Sequence, residues 1–359
     1  MPPFSEIAIA ALEAETSAEG AAGLSRQIIQ ALPEIAGPGA AHSLEPAAME
    51  AFVSKIVEKV RGVLEDPSVL KHPAKQIAYC LESGVAEVNR GLGFPAPRIS
   101  FNLHSSLAVG DYAQAEGSLR IGYQQLPLIL AKQARVAGST LSESGATLAG
   151  VVAHEDTHLL QDTLITRRFI DLNPSATFSD WLKVKRPDLE AGSMRFDQSK
   201  RFFDEVVQLR AGQELPPALA ATADIMAAAL PENGLVMRQM DQLTKSGLLD
   251  LKELLPEIAP SEMGYAKFWN EFPRDAVPPS IEAQWEATKQ LVSSGSINEA
   301  QAGKDFYFVA RKAYEEAAQK WDVVYQQYAS LPHEKEARAA ENMARRMFSP
   351  DSVVVAASR

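Results

Sequence analysis

Residues 154 to 158 read His-Glu-Asp-Thr-His inside an apolar run, Leu148-Ala-Gly-Val-Val-Ala-His-Glu-Asp-Thr-His-Leu-Leu160. On a helix, His154 and His158 stand four residues apart on one face, so both imidazoles can reach one divalent cation. Glu155 points to the side of that face, where a carboxylate can take a proton from water without ligating the metal itself. That is the chemistry of hydrolysis. With six His in 359 residues, a chance HExxH has an expectation on the order of 0.01. A solvated helix face that happens to carry these residues is the bland alternative, and the flanks speak against it. Val151, Val152, Leu159 and Leu160 mark a buried helix. Two imidazoles and a carboxylate on such a helix need partners, because unpaired buried polar groups are costly. A zinc ion supplies one.

Two imidazoles leave such an ion short of ligands, since catalytic zinc sites commonly use three protein ligands plus a water. The variant HExxHxxGxxH is excluded, because Gln161 and Leu164 stand at its Gly and last His positions. The third ligand therefore comes from further along. His333 lies in Leu331-Pro-His-Glu-Lys-Glu-Ala-Arg338 and reads as an exposed residue. Pro332 suits the first position of a helix, where its missing N–H does no harm. Glu334 follows at once, and Ala337, one turn on, lets that helix approach a neighbour closely.

The patches His154-Glu-Asp-Thr-His-Leu-Leu-Gln161 and Pro332-His-Glu-Lys-Glu-Ala-Arg338 resemble the gluzincins, metallopeptidases with a glutamate as third zinc ligand. The resemblance is to the short zincin-like domains of phage, plasmid and toxin proteins. It implies a Zn2+ cofactor held by His154, His158 and Glu334, with Glu336 as the neighbour that could replace Glu334. It also implies Glu155 as general base and a protein or peptide substrate. The chain departs from the family in spacing. His158 and Glu334 are much further apart than in compact members, so a long helical insertion has to separate the two halves of the site. Glu190, in Pro187-Asp-Leu-Glu190 just inside a Pro-started helix, stays open as third ligand. So does Glu205, in the amphipathic stretch Phe202-Phe-Asp-Glu-Val-Val207. Asp162, one turn past His158, is a candidate to accept a hydrogen bond from a ligand imidazole.

The elements around these residues follow from periodicity. Residues 1–45 are rich in Ala, Glu, Gly, Ser and Pro and read as a flexible leader, with a short helix at Leu24–Leu32. Residues 46–170 form a zincin-like core. In it, Phe52, Ile56, Val57, Val60 and Val63 make one helical stripe, and a second helix runs from His72 to Arg90. Arg98–Leu103 and Gly117–Tyr123 alternate apolar and polar residues as strands of a small antiparallel sheet, with a turn between them. Ser118–Tyr123 is the candidate edge strand to pair with a substrate backbone, through a stretch carrying Leu119 and Ile121. A helix from Gln125 to Ala137 and then the long HExxH helix, capped by Ser142 or Ser144, complete the core. Residues 171–320 are a helical insertion or second domain for substrate recognition, 321–348 a helix returning to complete the metal site, and 349–359 a tail. The fold class is α+β, mostly α.

Composition sets outer bounds. The formal net charge of −11 speaks against nucleic acid or an anionic membrane as main partner, since both reward a basic surface. Cys80 is the only cysteine, which excludes an internal disulfide. No apolar run is long enough to cross a membrane, and no basic-then-apolar leader marks a secretory signal peptide. A cytoplasmic protein, or one exported by another route as an effector or toxin would be, fits these features. The expectation is a zinc metallopeptidase. Two other classes stay open: a zincin-fold protein that binds a partner without cleaving it, with structural metal or none, and a helical interaction module whose HExxH is coincidental.

Overall fold

The computed structural model describes residues 43–65, 73–102, 110–122, 139–256 and 259–348. The expected leader helix at Leu24–Leu32, the helix at Gln125–Ala137, and the tail lie outside the described residues, as do the side chains of Ser142 and Ser144. The rest is mostly helical with one small sheet. No helix among the described residues is long and apolar enough to cross a membrane. The chain divides into two compact units, residues 1–229 with 332–359, and residues 230–331.

The first unit opens with α1 (Pro46–Glu65), whose stripe of Phe52, Val53, Ile56, Val57 and Val60 is fully inside the core. Next come α2 (Pro73–Gly91), β1 (Arg98–Asn102), β2 (Gly110–Ala113) and β3 (Ser118–Gly122). The sheet order is β1-β3-β2, with β1 parallel and β2 antiparallel to β3. The sheet is therefore mixed rather than antiparallel. The segment between the two expected strands contributes a strand of its own: β2 and β3 form a tight hairpin, and β3 pairs on its other side with β1. This overturns the substrate-strand expectation. β3 is the middle strand, its backbone is paired on both sides, and Leu119 and Ile121 are 0% exposed. An edge strand is needed for an extended peptide to add to a sheet, and β2 is that strand on the other side.

The long helix α3 (Ser139–Leu172) carries the HExxH residues and packs against β2, β3 and α1. After it come α4 (Phe178–Lys185) and α5 (Met194–Arg210). Trp181, Phe202, Phe203 and Val206 bury in the same core as α1 and α3. That is why residues 171–229 belong to the first unit, and why the separate helical unit is narrower than the 171–320 expected. The last helix, α11 (Pro332–Phe348), returns to the first unit and lies along α3. It can do so closely because its facing side chains are small, with Ala337, Ala340 and Ala344 all 0% exposed. Glycines on α3 supply the matching notches. A Cβ on Gly145 would lie 2.3 Å from the Phe348 ring, and one on Gly150 would lie 2.9 Å from Arg345 Cγ. Neither separation is tolerable as it stands, so a larger residue there would force the α11 side chains it meets to shift.

The second unit holds the end of α6 (Pro217–Lys245), then α7 (Leu251–Leu254), α8 (Glu262–Glu271), α9 (Pro279–Ser293) and α10 (Glu299–Ser330). Its core is aromatic. Trp269 packs against Trp285 at a tilt, 4.3 Å between ring centres, and Phe306 sits 4.6 Å from Trp285 and 5.1 Å from Phe272. A Cβ on Gly303 would fall 2.0 Å from the Tyr265 carbonyl oxygen, so only glycine permits α8 and α10 to meet there.

Candidate metal centre

The close contact of α3 and α11 brings three ligand atoms to one point. His154 Nε2 and His158 Nε2 are 3.2 Å apart. Glu334 Oε1 is 3.2 Å from His158 Nε2, and its Oε2 is 3.7 Å from His154 Nε2. The ligands of a tetrahedral zinc, each at about 2.0–2.2 Å from the ion, lie about 3.3–3.6 Å from one another. The donor set and its spacing thus fit such an ion. The group is well inside the protein: each imidazole is 12% exposed and Glu334 only 2%. Among the described residues these three make up the group of His, Cys, Asp and Glu close enough to share a metal.

The other third-ligand candidates are placed elsewhere, each for a local reason. Glu190 is exposed on a turn rather than in a helix, and its carbonyl accepts the amide and hydroxyl of Ser193. Glu205 pairs on its own helix with Arg201 at 3.3 Å. Glu336, two residues beyond Glu334, points to a different side of α11. It accepts from the backbone N–H and the hydroxyl of buried Ser43, and from Gln161 Nε2 at 2.8 Å.

Gln161, rather than Asp162, hydrogen-bonds the outer nitrogen of His158. Its Nε2 donates to the His333 carbonyl at 2.9 Å and to Glu336, which fixes the amide orientation. Its Oε1 therefore faces His158 Nδ1, 2.8 Å away. An amide oxygen only accepts, so Nδ1 carries a proton and Nε2 is the atom turned to the cluster. Asp162 instead reaches the hairpin. It accepts from Tyr112 Oη at 2.9 Å and from the Ala115 N–H at 2.6 Å, with Lys185 Nζ at 3.6 Å. The turn N–H is a better partner for this short carboxylate than a ring it cannot line up with.

Charge at the centre is balanced by its own members. Burial opposes a proton on His158, but the hydrogen bond and charge of Glu334, then Glu155 and Gln161, outweigh it and raise the imidazole to about 9. Without a cation, then, a proton sits between His158 and Glu334, and a metal would take its place. His333 is the reverse case. It is buried at 6% exposed, not exposed as its sequence context suggests. Burial, then the positive neighbour His158, lower it to about 4, so this ring stays neutral. It lies 5.9 Å from the His158 ring, centre to centre. Nothing in the one-dimensional pattern marks it.

Glu155 is 7% exposed and lies against β2. A Cβ on Gly110 would come 2.8 Å from its Oε1 and 2.4 Å from Val151 Cγ1. The strand thus rests directly on the helix turn that carries Glu155, and Tyr112 of the same strand stacks on His158 at 6.4 Å. His104 lies outside the described residues. Compared with protein-family models, with curated proteins and with solved structures, the chain matches none of them.

Proposed function

We propose that this chain is a zinc metallopeptidase of gluzincin type, with a zincin-like core as its catalytic unit and a protein or peptide as substrate. The observation that carries this reading is the convergence of His154, His158 and Glu334 to 3.2–3.7 Å, with a carboxylate, Glu155, on the adjoining position of the same helix. His154 and His158 through Nε2, and Glu334 through its carboxylate, would hold the ion. Bound zinc supplies a Lewis acid that polarises the scissile carbonyl and acidifies water.

The chain's own residues do the rest. Glu155 accepts a proton from the attacking water as the new C–O bond forms at the carbonyl carbon. It returns that proton to the amide nitrogen as the C–N bond breaks, leaving a carboxyl and an amine terminus. β2, as an edge strand against Glu155, is where an extended peptide backbone would add to the sheet. The burial of Glu155 keeps bulk water from competing for the proton.

A second reading, a binding protein with a structural metal, draws on the depth of the ligand set, which is only 2–12% exposed. Glu155 is what weighs against it, since a structural site has no use for a carboxylate beside its ligands. One experiment divides the two. Glu155→Gln should keep its zinc by elemental analysis yet lose hydrolysis of a mixed peptide library by at least about a hundredfold, the low end for a general base. Equal cleavage by the variant, or no chelator-sensitive cleavage by the wild type, would remove the peptidase reading. His154→Ala should lose the metal.

A further inference from the structure

The second ligating imidazole also has an outer partner, and it comes from the helix that brings the third ligand. Glu341 stands two turns beyond Glu334 on α11, and its Oε2 lies 3.2 Å from His154 Nδ1, bent off the ideal hydrogen-bond line. Its other oxygen, Oε1, is taken by Arg345, with Nε at 3.0 Å and Nη2 at 2.7 Å. The pair has a prepared seat. Gly150 lies one turn before His154 on α3, and a Cβ there would stand 2.9 Å from Arg345 Cγ and Nε and 3.2 Å from Glu341 Cγ. Two helices, a glycine notch and a fork of two N–H groups therefore fix which carboxylate oxygen meets the ring.

We propose that Glu341, aimed by Arg345, is a positioning residue that keeps the His154 proton on Nδ1, so that the Nε2 lone pair faces Glu334 and His158 before any cation arrives. A carboxylate accepts and does not donate, so in the neutral ring the proton must sit on the nitrogen it faces. Gln161 does the same for His158, but by an amide that two acceptors hold in place. Both rings are then set in the one tautomer that can bind a metal through Nε2. The inference rests on the metal-site reading of the cluster.

The geometry makes an unusual demand on variants. In Glu341→Gln, Arg345 keeps the amide oxygen, because that is what its N–H groups need. The amide nitrogen then faces His154 Nδ1 and donates to it, which drives the proton to Nε2 and blocks the ligand. In Glu341→Ala, water can accept from Nδ1 and the productive tautomer survives. Zinc affinity, measured by competition with a chromophoric chelator, should therefore fall in the order wild type, Ala, Gln, with Gln weaker than wild type by about tenfold or more. A purely structural or charge role gives Ala as the worst variant or makes the two equal, and either result overturns the proposal. So does a Gln variant that binds like wild type.

The second readout needs no bound metal and no activity. Imidazole nitrogen shifts of the chelator-treated protein in alkaline buffer should show Nδ1–H at His154 in the wild type and Nε2–H in Glu341→Gln. Should the Gln variant not fold, the wild-type shifts alone decide, because Nε2–H there ends the proposal. A wild type that binds no zinc removes the metal reading, while the same shifts still test what Glu341 does to the ring.

Discussion

Asp156 sits inside the HExxH run yet belongs to a different problem from its neighbours. It is 0% exposed, and its Oδ1 accepts from Asn89 Nδ2 at 2.8 Å. Burial, only partly offset by that hydrogen bond, pushes its carboxyl up to about 7. The sign of its effect on stability follows. An unfolded Asp releases its proton near pH 3.9, whereas the folded one holds on until about 7. Between those values the folded state binds more protons than the unfolded state, so stability falls as pH rises and levels off above about 7. Asp156→Asn cannot ionise and should not show this fall. Urea titrations should find variant and wild type close near pH 4, with the variant ahead by ~2–4 kcal/mol at pH 8, a range set by about 1.4 kcal/mol per pKa unit. A gap between the two that stays constant with pH would refute the assignment. The same residue shows what a motif conceals: its pattern marks two ligands and a base, while the position between them is filled by the core behind the helix. The two imidazoles and the carboxylate of the proposed site, His154, His158 and Glu155, could be picked out from sequence because they are local and their spacing is helical. Gln161 and Glu341 were harder to see, since their meaning depends on which way a side chain turns and on a helix far along the chain.

The β2–β3 hairpin is the element that brings an edge strand of the described sheet to the centre, and it was the least legible part of the fold. Gly110–Ala113 has no apolar alternation, and the next residues carry turn chemistry, so periodicity alone hides the strand. The parallel pairing of β1 with β3 was equally hidden, because register between distant strands is decided by packing and not by either strand's own pattern. Asp162 is what holds this element in place. It accepts from the Ala115 N–H, and Ala115 adopts the left-handed backbone, φ 62°, which a residue with a Cβ visits at a cost of about 1–2 kcal/mol. It also accepts from the Tyr112 hydroxyl. Asp162→Ala should free the turn, unpair the Tyr112 hydroxyl and leave Lys185 buried without its carboxylate. The loss of stability should be ~1–3 kcal/mol by the cost of unsatisfied buried groups. Zinc affinity should change little, by less than about threefold against the tenfold or more that marks a ligand's hydrogen-bonding partner. Peptide hydrolysis should fall mainly through a higher KM, as a loosened docking strand requires. A variant that loses its zinc would show that Asp162 supports the metal directly after all.

At the scale of the molecule, the proposed ligands come from helices that lie far apart in the chain. α3 supplies two of them and α11 the third, and residues 230–331, between them, build a core of their own around Trp269, Trp285 and Phe306. An ion at the cluster would tie α3 to α11 and so close the whole intervening chain into a loop, stabilising the first unit without touching the aromatic core of the second. The size of the effect can be set. Free zinc at a hundred times its dissociation constant adds about 2.7 kcal/mol to whatever unfolds the site. For a unit of this size that raises the melting temperature by about 5–10 °C. Hydrogen exchange locates the gain: amides of α3 and α11 should become more protected on adding zinc and less protected with chelator, while those of α8 and α10 keep their rates. The contrast is informative because, among the described residues, each unit is built around a hydrophobic cluster of its own. Uniform protection of all four helices would mean that the two units unfold together. No zinc effect on α3 and α11 would mean that the imidazole and carboxylate cluster holds its proton and nothing else.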